Sequence, residues 1–306
     1  MSHSHKAYPT HHYQSGMTLI ELMVGLVISL IIIGAATAVF LAANSIGRSH
    51  DVGARLLEDG AFAATKLTRG IQRTGYVDVF SGTSRFRQTF DDAVNTIIER
   101  ADESQRDSFG LRYGNVTGSN TAIFGCENSI LGAGTSCIAS GTNSALAIAY
   151  QTNTPANVSD LSPSVTNSVS SGSGAADCNG ARPPTNVDYV VNKYYVNNQN
   201  QLMCLGNGSN TPGRIAANVQ QFQVLYGVAS GAADKRVQLL TASQVQTRNA
   251  WNLVVQVDLC LVMVGAPGTD NNPSITNNCD GSTSNTTDTR MRKTFRSVVS
   301  LRNSMG

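Results

Sequence analysis

The chain has 306 residues, with 22 Lys and Arg against 20 Asp and Glu, a formal charge of only +2. So flat a balance excludes a general nucleic-acid binder, which carries a basic excess or patch. Charged residues make up 14%, against roughly 25% in an ordinary soluble domain, and Asn, Ser, Thr and Gly fill the gap, a composition typical of exported proteins.

All five histidines, His3, His5, His11, His12 and His50, lie in the first fifty residues. A histidine base or histidine metal ligand in the body of the protein is thereby excluded. No P-loop, H-E-x-x-H or G-x-S-x-G is present, so no catalytic residue, metal ligand or cofactor site is assigned and an enzyme has no supporting constellation. The six cysteines, Cys126, Cys137, Cys178, Cys204, Cys260 and Cys279, contain no C-x-x-C pair. That spacing gives no support to zinc or thioredoxin chemistry and favours disulfides in an oxidising compartment.

In chain order, residues 1–16 are polar, with Lys6 and no acid. Gly16-Met17-Thr18-Leu19-Ile20-Glu21 follows, and then an uncharged stretch from Leu22 to Gly47. As a helix that stretch spans about 39 Å, enough for a bilayer core of about 30 Å. A secretory signal would carry its cleavage site after the apolar run. Here the candidate cut precedes it, so the helix is retained, and the basic leader places the N-terminus in the cytoplasm. Glu21 stands at the lip of the apolar run, where an ionised carboxylate is costly unless it is solvated at the headgroups or paired.

The arrangement Gly-Met-Thr-Leu-Ile-Glu-Leu closely resembles the type III signal of type IV pilins and type II secretion pseudopilins. The resemblance implies that a prepilin peptidase cuts between Gly16 and Met17 and methylates the new N-terminus. Glu21 becomes the fifth mature residue, the position whose carboxylate pairs with a neighbouring subunit's ammonium. Such a pair offsets two charges that are each expensive in a low-dielectric bundle, so Glu21 would act as a register key. Two departures stand out. The first mature residue is Met17, where most major pilins have Phe, and no proline interrupts the chain between Pro9 and Pro155.

Gly25 and Ser29, Gly34 and Ala38, and Ala38 and Ala42 sit four apart. This spacing permits close helix approach, although small residues are also common in any membrane helix. Beyond Gly47, Val52, Leu56, Ala63, Leu67 and Ile71 recur at helical spacing, with charges mostly off that stripe. These signals predict one helix from about Met17 to Thr74, ended near Gly75.

In the head, residues 91–100 suggest a short helix, with Phe90, Val94, Ile97 and Ile98 at near-helical spacing. Strands are expected at Thr121–Phe124, Ala145–Tyr150, Val187–Tyr195, Gln201–Leu205, 218–228, Trp251–Val264 and Phe295–Leu301. Trp251, Leu253, Val255, Val257, Leu259, Leu261 and Met263 would share one face. Segments 152–186 and 266–290 read as polar loops. Asp270, Asp280 and Asp288 invite a calcium reading, but their spacing does not match an EF-hand. Asp91, Asp92, Asp102, Glu103 and Asp107 are interleaved with Arg100 and Arg106, which reads as a solvated face.

The strand series resembles the PilW-like minor pilins, carried by Arg73-Thr74-Gly75-Tyr76, by the run from Val219 to Val228 and by the closing Arg296–Asn303. The implied fold is α+β, a type IV pilin lollipop with a long N-terminal helix packed on an antiparallel head. Its expected divisions are a leader at 1–16, a transmembrane or filament-core helix at 17–47, its amphipathic half at 48–75 and a periplasmic head at 76–306. Six cysteines allow 15 pairings; the favoured set is Cys126–Cys137, Cys178–Cys204 and Cys260–Cys279.

The resemblance implies a minor pilin, first in the inner membrane and then at the pilus fibre or tip, that primes pilus assembly. Its partners would be other minor pilins, the major pilin, prepilin peptidase, the assembly platform and inner-membrane lipid, with no nucleic acid. A type II secretion pseudopilin, or a tip module for adhesion or DNA uptake, are the alternatives.

Overall fold

The computed structural model describes residues 16, 18–75, 88–91, 96–99, 122–131, 137–139, 141–151, 175–183, 189–209, 211–230, 236–268 and 274–302. Helix α1 runs over Leu19–Gln72. No proline interrupts its 54 residues, so no backbone bond is lost along it. Its last turn tightens through Arg73 N–H to Gly70 O and Thr74 N–H to Ile71 O. Gly75 then adopts φ +73°, the left-handed conformation that ends helices without a Cβ penalty. Its N–H donates to Ala149 O at 3.0 Å, tying the helix end to the head.

The chain forms two units, residues 1–50 and 51–306. In the second, strands β1 (Gln88–Asp91) and β2 (Thr96–Glu99) pair as an antiparallel hairpin. This replaces the short helix expected over 91–100. Phe90, Ile97 and Ile98 fit either period over so short a run, and β-branched residues favour a strand.

The strands that follow are β3 (Ile123–Cys126), β4 (Ser129–Leu131), β5 (Cys137–Ala139), β6 (Ala145–Gln151), β7 (Tyr189–Val196), β8 (Leu202–Gly206), β9 (Gly213–Ala216), β10 (Val219–Ala229) and β11 (Val237–Leu240). Helix α2 (Ala242–Thr247) precedes β12 (Val254–Val264), β13 (Ser274–Asn277), β14 (Thr283–Thr286) and β15 (Arg292–Ser300). Two larger antiparallel sheets result, ordered β3-β6-β7-β8-β9 and β11-β10-β12-β15. They join where Ser144 N–H donates to Phe222 O at 2.8 Å and Phe222 N–H donates to Asn143 Oδ1 at 2.7 Å.

The Asp51–Gln72 half of α1 is built into this unit. Leu56, Gly60, Ala63, Leu67 and Ile71 are its buried stripe, and Val52 packs against the same core. The helix meets both sheets: Gly70 lies against Ile148 and Tyr194, and Gly60 against Phe295. A Cβ at Gly60 would fall inside the Phe295 ring, so this crossing requires glycine. Thr68 and Ser297 hydroxyls lie 3.2 Å apart beside it.

Two expectations for the last third are corrected. Trp251 and Leu253 lie in a 3-10 turn, not in the strand. Trp251 packs on Phe124 at 5.1 Å and Tyr226 at 4.9 Å between ring centroids, and its indole N–H donates to Gln246 Oε1 at 2.7 Å. The register then shifts between Val228↔Val254 and Gly227↔Gln256. This extra residue buries Val254 and leaves Val255 half-buried, because a bulge reverses the alternation beyond it. The polar stretch 266–290 also contains the β13–β14 hairpin. Thr and Ser side chains hid that hairpin from a hydrophobic pattern.

Candidate processing and assembly site

Gly16 lies three positions ahead of Leu19, the first residue of α1, and Met17 lies outside the described residues. Thr18 opens the helix: Glu21 N–H donates to Thr18 O at 3.1 Å, Leu22 N–H to the same oxygen at 3.2 Å, and Thr18 Oγ1 stands 3.4 Å from Glu21 N. Thr-x-x-Glu at a helix start is the capping-box pattern. It places Glu21 in the first turn, where a negative charge meets the positive end of the helix dipole. The Glu21 side chain is exposed, free for a partner beyond the chain.

The helix that follows is long and apolar enough to cross a membrane by length and composition. From Leu19 to Ile46 every large hydrophobic side chain is exposed in the isolated chain, Leu30 at 65%. The hydroxyls of Ser29, Thr37 and Ser45 are already satisfied internally. Ser29 Oγ donates to Gly25 O at 2.7 Å, Ser45 Oγ to Ala42 O at 2.8 Å, and Thr37 Oγ1 to Ile33 O. With hydroxyls so spent, this surface offers lipid or a neighbouring helix no unpaired hydroxyl.

The head's cysteines form three disulfides. Cys126–Cys137 joins β3 to β5 with Cα atoms 5.6 Å apart, Cys178–Cys204 joins a loop to β8 at 6.2 Å, and Cys260–Cys279 joins β12 to the turn after β13 at 5.5 Å. Asp177 beside the second disulfide escaped sequence reasoning. It is buried, with Oδ1 accepting from Asn179 N–H at 2.8 Å and Ala181 N–H at 2.9 Å and Oδ2 from Gly208 N–H at 3.1 Å. Its sequence neighbourhood, Asp-Cys-Asn-Gly, signals an Asx-type turn but not the long-range bond to Gly208.

The acids that suggested calcium are separately engaged. Asp280 accepts from Ser282 N–H at 2.8 Å and Ser282 Oγ–H at 2.6 Å, bonds that hold its carboxyl below the usual range. Asp288 takes a two-pronged bond from Arg292, one prong at 2.7 Å, which likewise lowers its pKa. Asp270 lies outside the described residues, as do Asp92, Asp102, Glu103 and Asp107. Among the described residues no group of three potential metal ligands occurs.

Comparison with known proteins decides what this arrangement belongs to. Residues 188–303 match the family of type IV pilus-assembly protein W, and residues 11–37 match the prokaryotic N-terminal methylation motif. Over these residues the chain is similar to PilW-like type IV pilins. The first match spans β7 through β15, and the second spans Gly16, Glu21 and the beginning of α1. Pilins of this family are structural and non-enzymatic, and the long apolar N-terminal helix and the methylation motif ahead of the antiparallel-sheet head fit a membrane-anchored pilin. A type IV-like pilin from Thermus thermophilus is similar in structure, with a TM-score of 0.37 and 12% identity, over 82% of this chain and 99% of that one. No curated protein matches the chain.

Proposed function

We propose that this pilin is a minor subunit that primes type IV pilus assembly from the inner membrane and takes its place near the fibre tip. Residues 1–16 form a leader removed by prepilin peptidase between Gly16 and Met17. Residues 17–47 anchor the precursor and later enter the filament core. Residues 48–75 continue the helix, and 76–306 form the periplasmic head.

The observation that carries this reading is an apolar surface from Leu19 to Ile46 left wholly exposed, with an exposed carboxylate, Glu21, one turn into its helix. Such a surface must be covered by lipid or by other helices. A carboxylate at its edge pairs with the methylated ammonium of a neighbouring subunit and penalises every other register. The partners are then other minor pilins, the major pilin and the assembly platform.

Deletion of the gene, scored in parallel for surface piliation and for type II secretion, tests the role. Loss of pili with secretion intact is expected. Lost secretion with normal pili would make the chain a pseudopilin.

A further inference from the structure

A groove of about 610 Å³ lies between the end of α1 and the five-stranded sheet, outside everything assigned above. Lys66, Arg69 and Arg73 line one wall. Their spacing of three and four residues puts them on one helix face. Among the described residues none of them makes an ion pair. Each cation that meets a neighbour meets a ring: Lys66 Nζ stands 5.8 Å from the Phe62 centroid and Arg73 Cζ 6.0 Å from that of Tyr150. Phe62 is itself 56% exposed.

Among the described lining residues the one acid is Asp177. Three backbone N–H groups already occupy its carboxylate. Among the described residues the lining therefore presents three cations against one buried carboxylate that is already held by backbone N–H groups.

We infer that this groove is a docking site for an extended, carboxylate-bearing segment of a neighbouring pilin subunit. The inference rests on the assembly reading above and names the surface through which the head would engage its neighbour. Carboxylates on alternate residues of an extended chain stand about 7 Å apart. Lys66 and Arg73 are separated by about 10 Å along the helix axis, so two such carboxylates fit between the three cations. Arg forks bind carboxylates with two parallel bonds, and the Phe62 and Tyr150 rings supply apolar cover beside them. Three cations within two helical turns are too short a track for a nucleic-acid backbone, whose affinity grows with the number of phosphates neutralised.

The test uses the full-length mature protein in detergent and a fluorescein-labelled peptide of alternating Glu and Val, followed by fluorescence anisotropy. Saturable binding is expected that weakens with salt, falls at least tenfold in R69E/R73E, survives in part in R69K/R73K and is unchanged in R248E, which lies outside the groove lining. Both arginines are exposed, and a melting curve matching wild type shows that the variant is folded. Absent binding, equal binding by R69E/R73E, or tighter binding of oligothymidylate than of the peptide overturns the proposal.

In cells, R69E/R73E should be cut after Gly16 like wild type yet reduce piliation. Wild-type piliation would overturn the docking site while leaving the subunit role intact. Failure of the unaltered chain to be cut after Gly16 would strike the assembly reading itself.

Discussion

Two stretches of the same helix divide its work. From Leu19 to Ile46 the large apolar side chains face outward all around, none of them buried. From Asp51 to Gln72 a buried stripe appears, Leu56, Ala63, Leu67 and Ile71, with Leu57 and Phe62 left exposed off it. Helical propensity does not separate the two, since both are helix. The difference lies in where their hydrophobic free energy is realised: within the chain for the second stretch, and only on contact with lipid or other subunits for the first. One element thus serves folding at its C-terminal end and, in the proposed role, assembly at its N-terminal end.

The largest effect that would break this comparison comes from truncating one leucine in each stretch. Leu67→Ala should destabilise the head by about 2–5 kcal/mol, because Leu67 is fully buried and leaves a cavity. Leu30→Ala, at a site 65% exposed, should leave the head's thermal unfolding unchanged. Equal losses at the two sites would erase the distinction.

Next comes the disulfide beside the helix-binding sheet. Replacing Cys178 and Cys204 together by Ala should cost about 2–4 kcal/mol, read by denaturant unfolding. The mutant should still be processed at its N-terminus, which would separate head stability from the assembly end.

Gly60→Ala should cost about 1–3 kcal/mol by crowding the Phe295 ring. Phe295→Leu should recover part of that loss in the double variant, measured as a coupling between the two sites. Purely additive losses would mean that the helix does not depend on this close crossing.

The smallest effect is electrostatic. The Arg292 bond holds the Asp288 carboxyl below its ordinary value. A carboxyl whose folded pKa is lowered adds stability above its unfolded value and loses it as pH falls through the folded one. The difference in melting temperature between wild type and Asp288→Asn should therefore be small at neutral pH and fade as pH falls through the lowered value of the folded carboxyl. Because this bridge joins no part of α1, the helix stripe should stay protected in hydrogen exchange throughout.

Much of this division was legible in the residues. The uncharged run after Glu21 and the stripe from Val52 to Ile71 have different periods, and period alone separates a surface apolar all round from a one-sided helix. The hairpin turn read at Val196–Asn200, found between β7 and β8, and the alternation of β10 were equally plain, because each strand buries one face. What escaped depends on contacts far apart in sequence. The bulge at Val254–Val255 is set by pairing with β10, not by the local pattern. Gly60 lies on the stripe, but only the Phe295 ring across from it shows why a side chain is forbidden. Asp177 reads as a turn residue until Gly208 arrives from β8's end, and the three groove cations read as a solvated face until Tyr150 stands opposite them. At the N-terminus, the cap formed by Thr18 and Glu21 went unread in the sequence, and the role of Glu21 between subunits lies outside a single chain.

The central claim is that the exposed half of α1 is kept and put to use after a cut in front of it. N-terminal mass determination on the protein recovered from cells with and without prepilin peptidase tests it most directly. The account predicts a chain beginning at methylated Met17 only where the peptidase is present. A chain that still begins at Met1 in its presence, or one cut after the apolar run near Gly47, would contradict it.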